Sequence, residues 1–492
     1  MGYTQKVVLI GAGISGLACA FRLKQLRVPC LILEADSRAG GVIATTRRNG
    51  YLFELGPQCP RFPASVWHLV RELGLDREFL AGDPKAKRYI FRAGRLHPAP
   101  FSPVGLFATG LLGASSKFRI LTEVLRTTRP PRHEESLAEF VERKFGIETL
   151  ESLVDPLVST VFFGDACKMG MQSAFPALVE WERDHGSLVR GALRARASKR
   201  DARRAGVATA AERPATNPAF MKVTDALPSL GSFRGGMARL PEKLADQLQQ
   251  EIRYAVQVES ATPLPSEDAN SQTLWQIRTS NGEKILAEHL VLCVPAYEAA
   301  KVLEQSVPAV AAPLRSIEYA PIEGVSSAYN RSQVQNPLDG FGFMVPRTEG
   351  LGTICTFWNS SLFRERAPQG KVLITSFVRC NANQGPHESD DEAFSRAIEA
   401  ENAAILGTTG QPQERTVWTH PRALPQYNVG HPRIVAAIRD ALRALPNLHL
   451  ASNYLQGRSI GDCVDLAFEV AENVHSRLPP NCIEPLSPHS TE

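Results

Sequence analysis

Gly11, Gly13 and Gly16 stand at the spacing Gly-x-Gly-x-x-Gly, and a carboxylate, Glu34, follows 18 residues after the last of them. That set suits a dinucleotide. Gly11 allows a tight turn, Gly13 lets the backbone approach a pyrophosphate, and Gly16 lets a helix pack closely on a strand. The N–H groups at the helix start, around Ile14 and Ser15, offer free donors and a partial positive charge to the anion. Glu34 can accept from ribose hydroxyls and would repel a 2′-phosphate, which argues against NADP. The flanking sequence supplies the elements that must hold these groups. Val7-Val8-Leu9-Ile10 reads as a strand buried on both faces, 17–26 as a helix, and Cys30-Leu31-Ile32-Leu33 as a second strand. A glycine motif carries weight only in that order of elements.

Two further stretches decide which nucleotide is expected. Arg38-Ala39-Gly40-Gly41 is followed by Tyr51-Leu52-Phe53-Glu54-Leu55-Gly56-Pro57. With Glu34, these resemble the extended fingerprint of flavoproteins of the amine-oxidase and glutathione-reductase type, so FAD is the expected cofactor. Arg38 can neutralise the pyrophosphate, and paired glycines let the backbone pass beside the cofactor. Ala287 to Pro295 and Leu448-His449-Leu450-Ala451 read as later returns of the chain to the same sheet. After the second come Gly461-Asp462 and a helical pattern through Val464, Ala467, Phe468, Ala471 and Val474. This resembles the C-terminal flavin motif of the superfamily, which implies that Asp462 meets the ribityl chain and that the helix N-terminus faces the flavin. The resemblance adds Ala35, Gly56, Pro57, Val258, Gly461 and Val464 to the cofactor-binding set.

Gly340-Phe341-Gly342-Phe343-Met344-Val345-Pro346 and Pro425-Gln426-Tyr427-Asn428-Val429-Gly430-His431 are more specific than the nucleotide motif. So are Phe163-Gly164-Asp165 and Ser232-Phe233-Arg234-Gly235-Gly236-Met237. Together they resemble the oxygen-dependent protoporphyrinogen oxidase family, from residue 6 to about 475. The resemblance implies oxidation of protoporphyrinogen IX to protoporphyrin IX in haem synthesis. Hydride would pass from a bridging carbon to the flavin, and O2 would reoxidise it with release of H2O2, three times over. The chemistry belongs to the cofactor, and the protein supplies orientation and a dry cavity. No Ser-His-Asp or paired-carboxylate signature stands in the chain, so no catalytic side chain is assigned. Gly164, Met344, Ile354 and Phe377 match cavity positions of the family, although apolar residues at strand spacing are ordinarily core.

Departures from the family pattern bear on substrate choice. His97 stands where an arginine meets a propionate in some members, and Arg95 lies nearby. Phe377-Val378-Arg379-Cys380 replaces Phe-hydrophobe-Gly-Gly, which makes Arg379 a candidate carboxylate anchor. Gln58-Cys59 replaces Asn-Ser, and Cys59 reads as inert packing rather than a redox thiol. The alternatives carried forward are a coproporphyrinogen III oxidase and a non-catalytic flavin- or tetrapyrrole-binding protein.

Bulk properties set the remaining bounds. The chain has 492 residues, too many for one ordinary domain, and a net charge of +4 with no basic-aromatic module, so nucleic acid is not expected as a partner. Nine scattered cysteines without a Cys-x-x-Cys pair argue against a metal site and against a disulfide framework. The expected fold is α/β. A discontinuous Rossmann-like FAD-binding domain would comprise 1–75, 220–300 and 432–480. An α+β substrate domain would take 76–95 and 301–431, and a helical, cavity-covering and membrane-contacting subdomain 96–219. Residues 96–116 lack charge but carry prolines, so a buried proline-started helix is expected there, with a dip into a membrane surface as the alternative. Residues 190–204 hold seven Arg or Lys and read as a solvated loop, with contact to anionic lipid as the alternative. The stretch 205–217 and the tail after Leu478 are expected to be loosely held. The expected location is the cytoplasm, with peripheral contact at the inner face of the membrane left open, as is a homodimer.

Overall fold

The computed structural model describes residues 4–83, 85–100, 102–204, 230–264, 273–379 and 391–479. The stretch 205–217, Cys380, Cys482 and the tail beyond 479 lie outside the described residues.

Val7, Val8 and Leu9 are completely buried, as a continuous apolar run in a parallel strand requires. Their strand, Gln5–Ile10, pairs in parallel with Cys30–Leu33 on one side and Lys284–Leu292 on the other. Ile252–Arg253 extends this sheet beyond Cys30–Leu33, and Leu448–Leu450 pairs in parallel with Lys284–Leu292. Leu274–Thr279 and Val258–Leu264 add antiparallel strands at the other edge. Three helices matter most for the site: α1 (Ile14–Gln25), α2 (Asp155–Phe162) and α3 (Ile460–Arg477). α1 and α3 share one core cluster on one face of the sheet, through Leu17, Leu23, Val464, Ala467 and Ala471. The helices Ala296–Leu303 and Pro308–Arg315 cover the other face. Each fully buried Leu or Val contributes about 1.5–3 kcal/mol, so the two faces together fix where the glycine turn sits.

A second seven-stranded sheet is ordered Glu414–Pro425, Tyr319–Asn330, Lys371–Val378, Thr353–Phe357, Gly340–Met344, Lys87–Arg92, Arg95–Pro98. It is antiparallel except between Gly340–Met344 and Lys87–Arg92. The fold is therefore α/β, with a Rossmann-like sheet assembled from distant segments beside an α+β layer and a helical region.

Two expectations need correction. Residues 188–204 form a helix rather than a loop, because Arg, Lys and Ala are strong helix formers even when strongly charged. The expected buried helix after residue 96 is a short one, Pro103–Ala108, capped by Ser102, with Val104 and Phe107 facing outward. Absence of charge did not mean burial there. Among the described residues no helix is long and apolar enough to cross a membrane.

Three buried histidines give the fold an acid limit. His289 Nδ1 and His449 Nε2 lie 3.2 Å apart, so one ring donates to the other and neither carries charge. Burial, and for His449 also the neighbouring ring, pushes both well below the ordinary value, and burial pushes His431 down to about 4. The unfolded chain takes up protons near pH 6.5 that the native state refuses. Stability is full above that pH and falls as pH drops towards 4, by up to about 1.4 kcal/mol per pH unit for each histidine. Urea midpoints at pH 7, 6 and 5 should fall in that order, and less steeply in His449→Asn. An unchanged slope in that variant would remove the pair from the account.

Candidate active site

The nucleotide end is built by backbone. Gly11 has φ +99°, open to glycine at little cost, and its N–H donates to Leu33 O at 2.8 Å. A Cβ on Gly16 would lie 1.9 Å from Gly11 O, so strand and helix touch through the missing side chain. A Cβ on Gly13 would meet nothing within 4 Å. Gly13 is also the N-cap of α1, with no side chain capping the helix, and no acid lies in the first turn. Free N–H groups thus face an open space, as an entering pyrophosphate needs. Gly41, φ +56°, closes this space from the opposite loop, 3.7 Å from Gly13 Cα by its own absent Cβ. Arg38 braces that loop by donating to Gly41 O at 2.7 Å and to Ala39 O at 3.2 Å, its side chain remaining exposed.

Glu34 is buried and accepts from Ala12 N–H at 2.6 Å and Asp36 N–H at 2.8 Å. Each carboxylate oxygen keeps a lone pair for a ribose hydroxyl. Ala35 follows it, and Val256 N–H donates to Glu34 O, which brings Val258 to the same end of the sheet. Asp462 closes a capping box with Ser459 at the start of α3, through Ser459 N–H at 2.9 Å and Ser459 Oγ at 2.7 Å. Ser459 Oγ in turn accepts from Asp462 N–H. Val464 is buried one turn on, and burial holds the Cys463 thiol, beside Ser15 of α1, up at about 12. The two helix N-termini therefore meet.

Glu54 and Arg366, from motifs far apart in sequence, form a buried ion pair at 3.0 Å. Glu54 also accepts from Met237 N–H at 3.0 Å and Thr45 Oγ1 at 2.6 Å, and Arg366 donates to Phe233 O at 3.1 Å. This network ties the strand before Gly56-Pro57 to both the Ser232–Met237 turn and the Arg364–Arg366 turn. Gln58 donates to Gly56 O and accepts from Asn359, bracing the same strand end. Burial pushes the Cys59 thiol up to about 12, so it stays protonated.

Across the second sheet, hydrogen-bond register aligns one row of residues. Trp418, Gly324, Phe377, Cys355, Met344, Ile90 and His97 are successive cross-strand partners. Paired residues share a face. Met344, Phe377 and His97 therefore look to the same side, and Ile354, beside a register shift, joins Met344 and Phe377 in one apolar cluster. Gly324 exists for Trp418, whose ring a Cβ would meet at 2.4 Å. Phe377 packs edge-on against Trp418 and Phe357, each at 5.5 Å, and at a tilt against Phe163 at 5.2 Å. Phe163 holds φ +49° at the end of α2, preceding Gly164. A Cβ on Gly164 would lie 2.5 Å from Gln426 Oε1.

Arg379 follows Phe377 by two residues. Its Nη2 is buried with no partner among the described residues, and burial, then the nearby Arg347, pushes its pKa down. Arg347 binds Asp155 of α2 at 3.1 Å and donates to Gly164 O at 2.7 Å. Arg95 is exposed at the sheet edge and forms no part of this cluster. Open clefts of about 390 and 490 Å3 lie elsewhere, beside Arg331 and beside Arg439, and Met344, Ile354 and Phe377 line neither.

A family model described as flavin containing amine oxidoreductase matches residues 14–475. The chain belongs to that family. It is a flavin-dependent oxidoreductase whose cofactor is FAD, and the cradle of Gly11, Gly13, Gly41 and Glu34 fits that group. The chain is 30% identical to protoporphyrinogen oxidase 1 of Arabidopsis thaliana, covering 96% of this chain and 88% of that one. Human protoporphyrinogen oxidase is 31% identical, with 96% and 98% covered. The coproporphyrinogen III oxidase of Bacillus subtilis is 26% identical, with 93% and 95% covered. Among solved structures, an Exiguobacterium protein has a TM-score of 0.77 at 23% identity, covering 97% and 100% of the two chains. Reduced UDP-galactopyranose mutase has 0.69 at 16%, covering 98% and 96%. These two share the flavoenzyme's fold.

Sequence reasoning missed several residues that the flavoenzyme places at the site. Trp418 and Phe357 extend the aromatic row, Arg347 approaches Arg379, and Arg458 lies at the start of α3. For Trp418 and Phe357 no local signal existed, since sheet register alone joins them. Arg458 could have been found as the one cation in an otherwise small and apolar turn, Gly457 to Gly461.

Proposed function

We propose that this protein oxidises protoporphyrinogen IX to protoporphyrin IX, with O2 as the acceptor and H2O2 as co-product. The observation that carries the reading is the single row that puts Phe377, Met344 and His97 on one side of the second sheet, with Phe377 and Met344 in one apolar cluster. Bound FAD would supply the hydride acceptor and the means of reoxidation by O2. The protein's own residues bind and orient. N–H groups of Ile14 and Ser15, with Gly11, Gly13, Gly16, Gly40 and Gly41, receive the pyrophosphate, and Glu34 receives the ribose. Met344, Ile354 and Phe377 form a dry wall for a flat macrocycle. Each hydride removed is accompanied by one proton lost from the macrocycle, which water can accept, so no side chain is assigned a proton-transfer role. Anaerobic addition of protoporphyrinogen IX should bleach the flavin absorbance of the purified holoprotein. Binding without bleaching would instead support a carrier.

A second reading, oxidation of coproporphyrinogen III, is favoured by Arg379, because that substrate carries two more carboxylates than protoporphyrinogen IX. A charge-assisted hydrogen bond is worth about 1.5–3 kcal/mol. Arg379→Met should therefore raise KM about tenfold or more with kcat little changed, and Arg379→Lys should recover part of the loss. If KM is unmoved with both porphyrinogens, Arg379 holds no carboxylate.

The helical region is proposed as the face that meets a membrane surface. Nine of the twelve exposed large apolar side chains among the described residues lie between 104 and 193, with Val104 77% and Leu125 80% exposed. A soluble surface seldom concentrates them so, and the basic helix ending at Arg204 begins in the same region. The protein should sediment with vesicles containing anionic lipid, and Phe107→Ser with Leu125→Ser should reduce that. Equal sedimentation of the variant would exclude this face.

A further inference from the structure

Arg458 immediately precedes Ser459, the N-cap of α3. Its guanidinium carbon sits 3.5 Å above the Phe162 ring and 5.0 Å from the Tyr427 ring. Both rings are fixed. Phe162 ends α2, and Tyr427 stacks on His431 at 4.4 Å while its hydroxyl donates to Asn453 O at 2.6 Å. Nη1 is shut away from solvent with no acceptor among the described residues. Asp462 acts on it only at a distance, since its Oδ2 is engaged by Ser459. Burial pushes the guanidinium down to about 10, which leaves it charged at neutral pH. Arg458 as a whole is only partly buried, but a cation with one donor shut from water and unmet is costly, and such groups persist where an anion comes to meet them.

Position identifies the anion. The first turn of α3 lies against the first turn of α1, beside the pyrophosphate space. Phe162 leads into Phe163, whose ring packs on Phe377 of the apolar row at 5.2 Å. Arg458 thus stands at the seam between the nucleotide cradle and the substrate face, where the redox end of FAD must lie. Arrival of a hydride adds two electrons and one proton, so the ring gains one negative charge. We propose that Arg458 is a redox-tuning residue that meets this charge, supplementing the positive N-terminus of α3. The inference rests on FAD lying in the cradle and does not depend on which porphyrinogen is oxidised.

The test is the midpoint potential of the flavin in the holoprotein, measured by dye equilibration without substrate. Arg458→Met should shift the reduction equilibrium at least tenfold towards the oxidised form, a potential about 30 mV lower for a two-electron couple. Arg458→Lys should restore most of it. FAD content is read in the same samples, so loss of the cofactor is distinguished from loss of tuning. Where Arg458→Met does not retain FAD, Arg458→Gln, which keeps donors without charge, should show the same fall. An unchanged potential in either FAD-loaded variant overturns the proposal. So does an unchanged potential with a raised KM for porphyrinogen, which would make Arg458 a substrate anchor.

Discussion

Gly16→Ala is expected to purify nearly colourless, with FAD affinity reduced about 100-fold or more. The new Cβ would sit 1.9 Å from Gly11 O and 3.3 Å from Cys293 Cβ. Neither neighbour can yield cheaply, because Gly11 N–H is held by Leu33 O and Cys293 N–H by Ile10 O within the sheet. α1 must therefore lift from the strand, and its N–H groups leave the pyrophosphate space. A 100-fold loss corresponds to about 2.7 kcal/mol, within what overpacking a close contact costs. Gly13→Ala is the informative companion. Its Cβ meets nothing within 4 Å, so the unliganded fold should keep its denaturation midpoint while FAD binding falls. Flavin-to-protein absorbance ratios and urea midpoints of the two variants separate these outcomes. A stoichiometrically yellow Gly16→Ala would mean that the cradle has been misread.

Breaking the Glu54–Arg366 pair should cost the most stability of any single change considered. Both side chains are about 1% exposed, and the pair holds together a strand and two turns that are remote in sequence. Removal of one partner strands a buried charge, which costs about 3–5 kcal/mol. Burial already pushes the Glu54 pKa up against the opposing pull of Arg366, so Arg366→Met should leave a carboxyl that takes up a proton on folding. Replacing both partners, Glu54→Leu with Arg366→Met, should cost less than the two single losses added together. Urea denaturation of the two single variants and the double variant measures the coupling. Additive losses would show that the pair is not a unit.

The nucleotide end was legible because its determinants are local. Gly11, Gly13 and Gly16 act within one turn, and the Val7 to Ile10 run declares a doubly covered strand by composition alone. α3 was equally plain, from the period of Val464, Ala467, Ala471 and Val474. The apolar face was legible only through family resemblance, as Met344, Ile354 and Phe377 have no periodicity that separates a cavity wall from core. What aligns them is register between strands far apart in sequence, as where Ile90 stands opposite Met344, about 250 residues later, which no local pattern encodes. The basic run after residue 190 was misjudged because charge was weighed above helix propensity. The segment after residue 96 was misjudged because an uncharged stretch was taken to be buried, whereas Val104 and Phe107 stand at the surface. Arg458 escaped notice because its meaning is an absence of partners, visible only once Phe162 and Tyr427 are brought around it.

The most direct test of the central claim is aerobic turnover of protoporphyrinogen IX by the FAD-loaded protein, following porphyrin fluorescence and H2O2 together, with coproporphyrinogen III and flavin-stripped protein in parallel. The account predicts a flavin-dependent rise of protoporphyrin, with three peroxides formed for each porphyrin, and a slower rise with coproporphyrinogen III. A yellow, folded protein that produces porphyrin from neither substrate would contradict it.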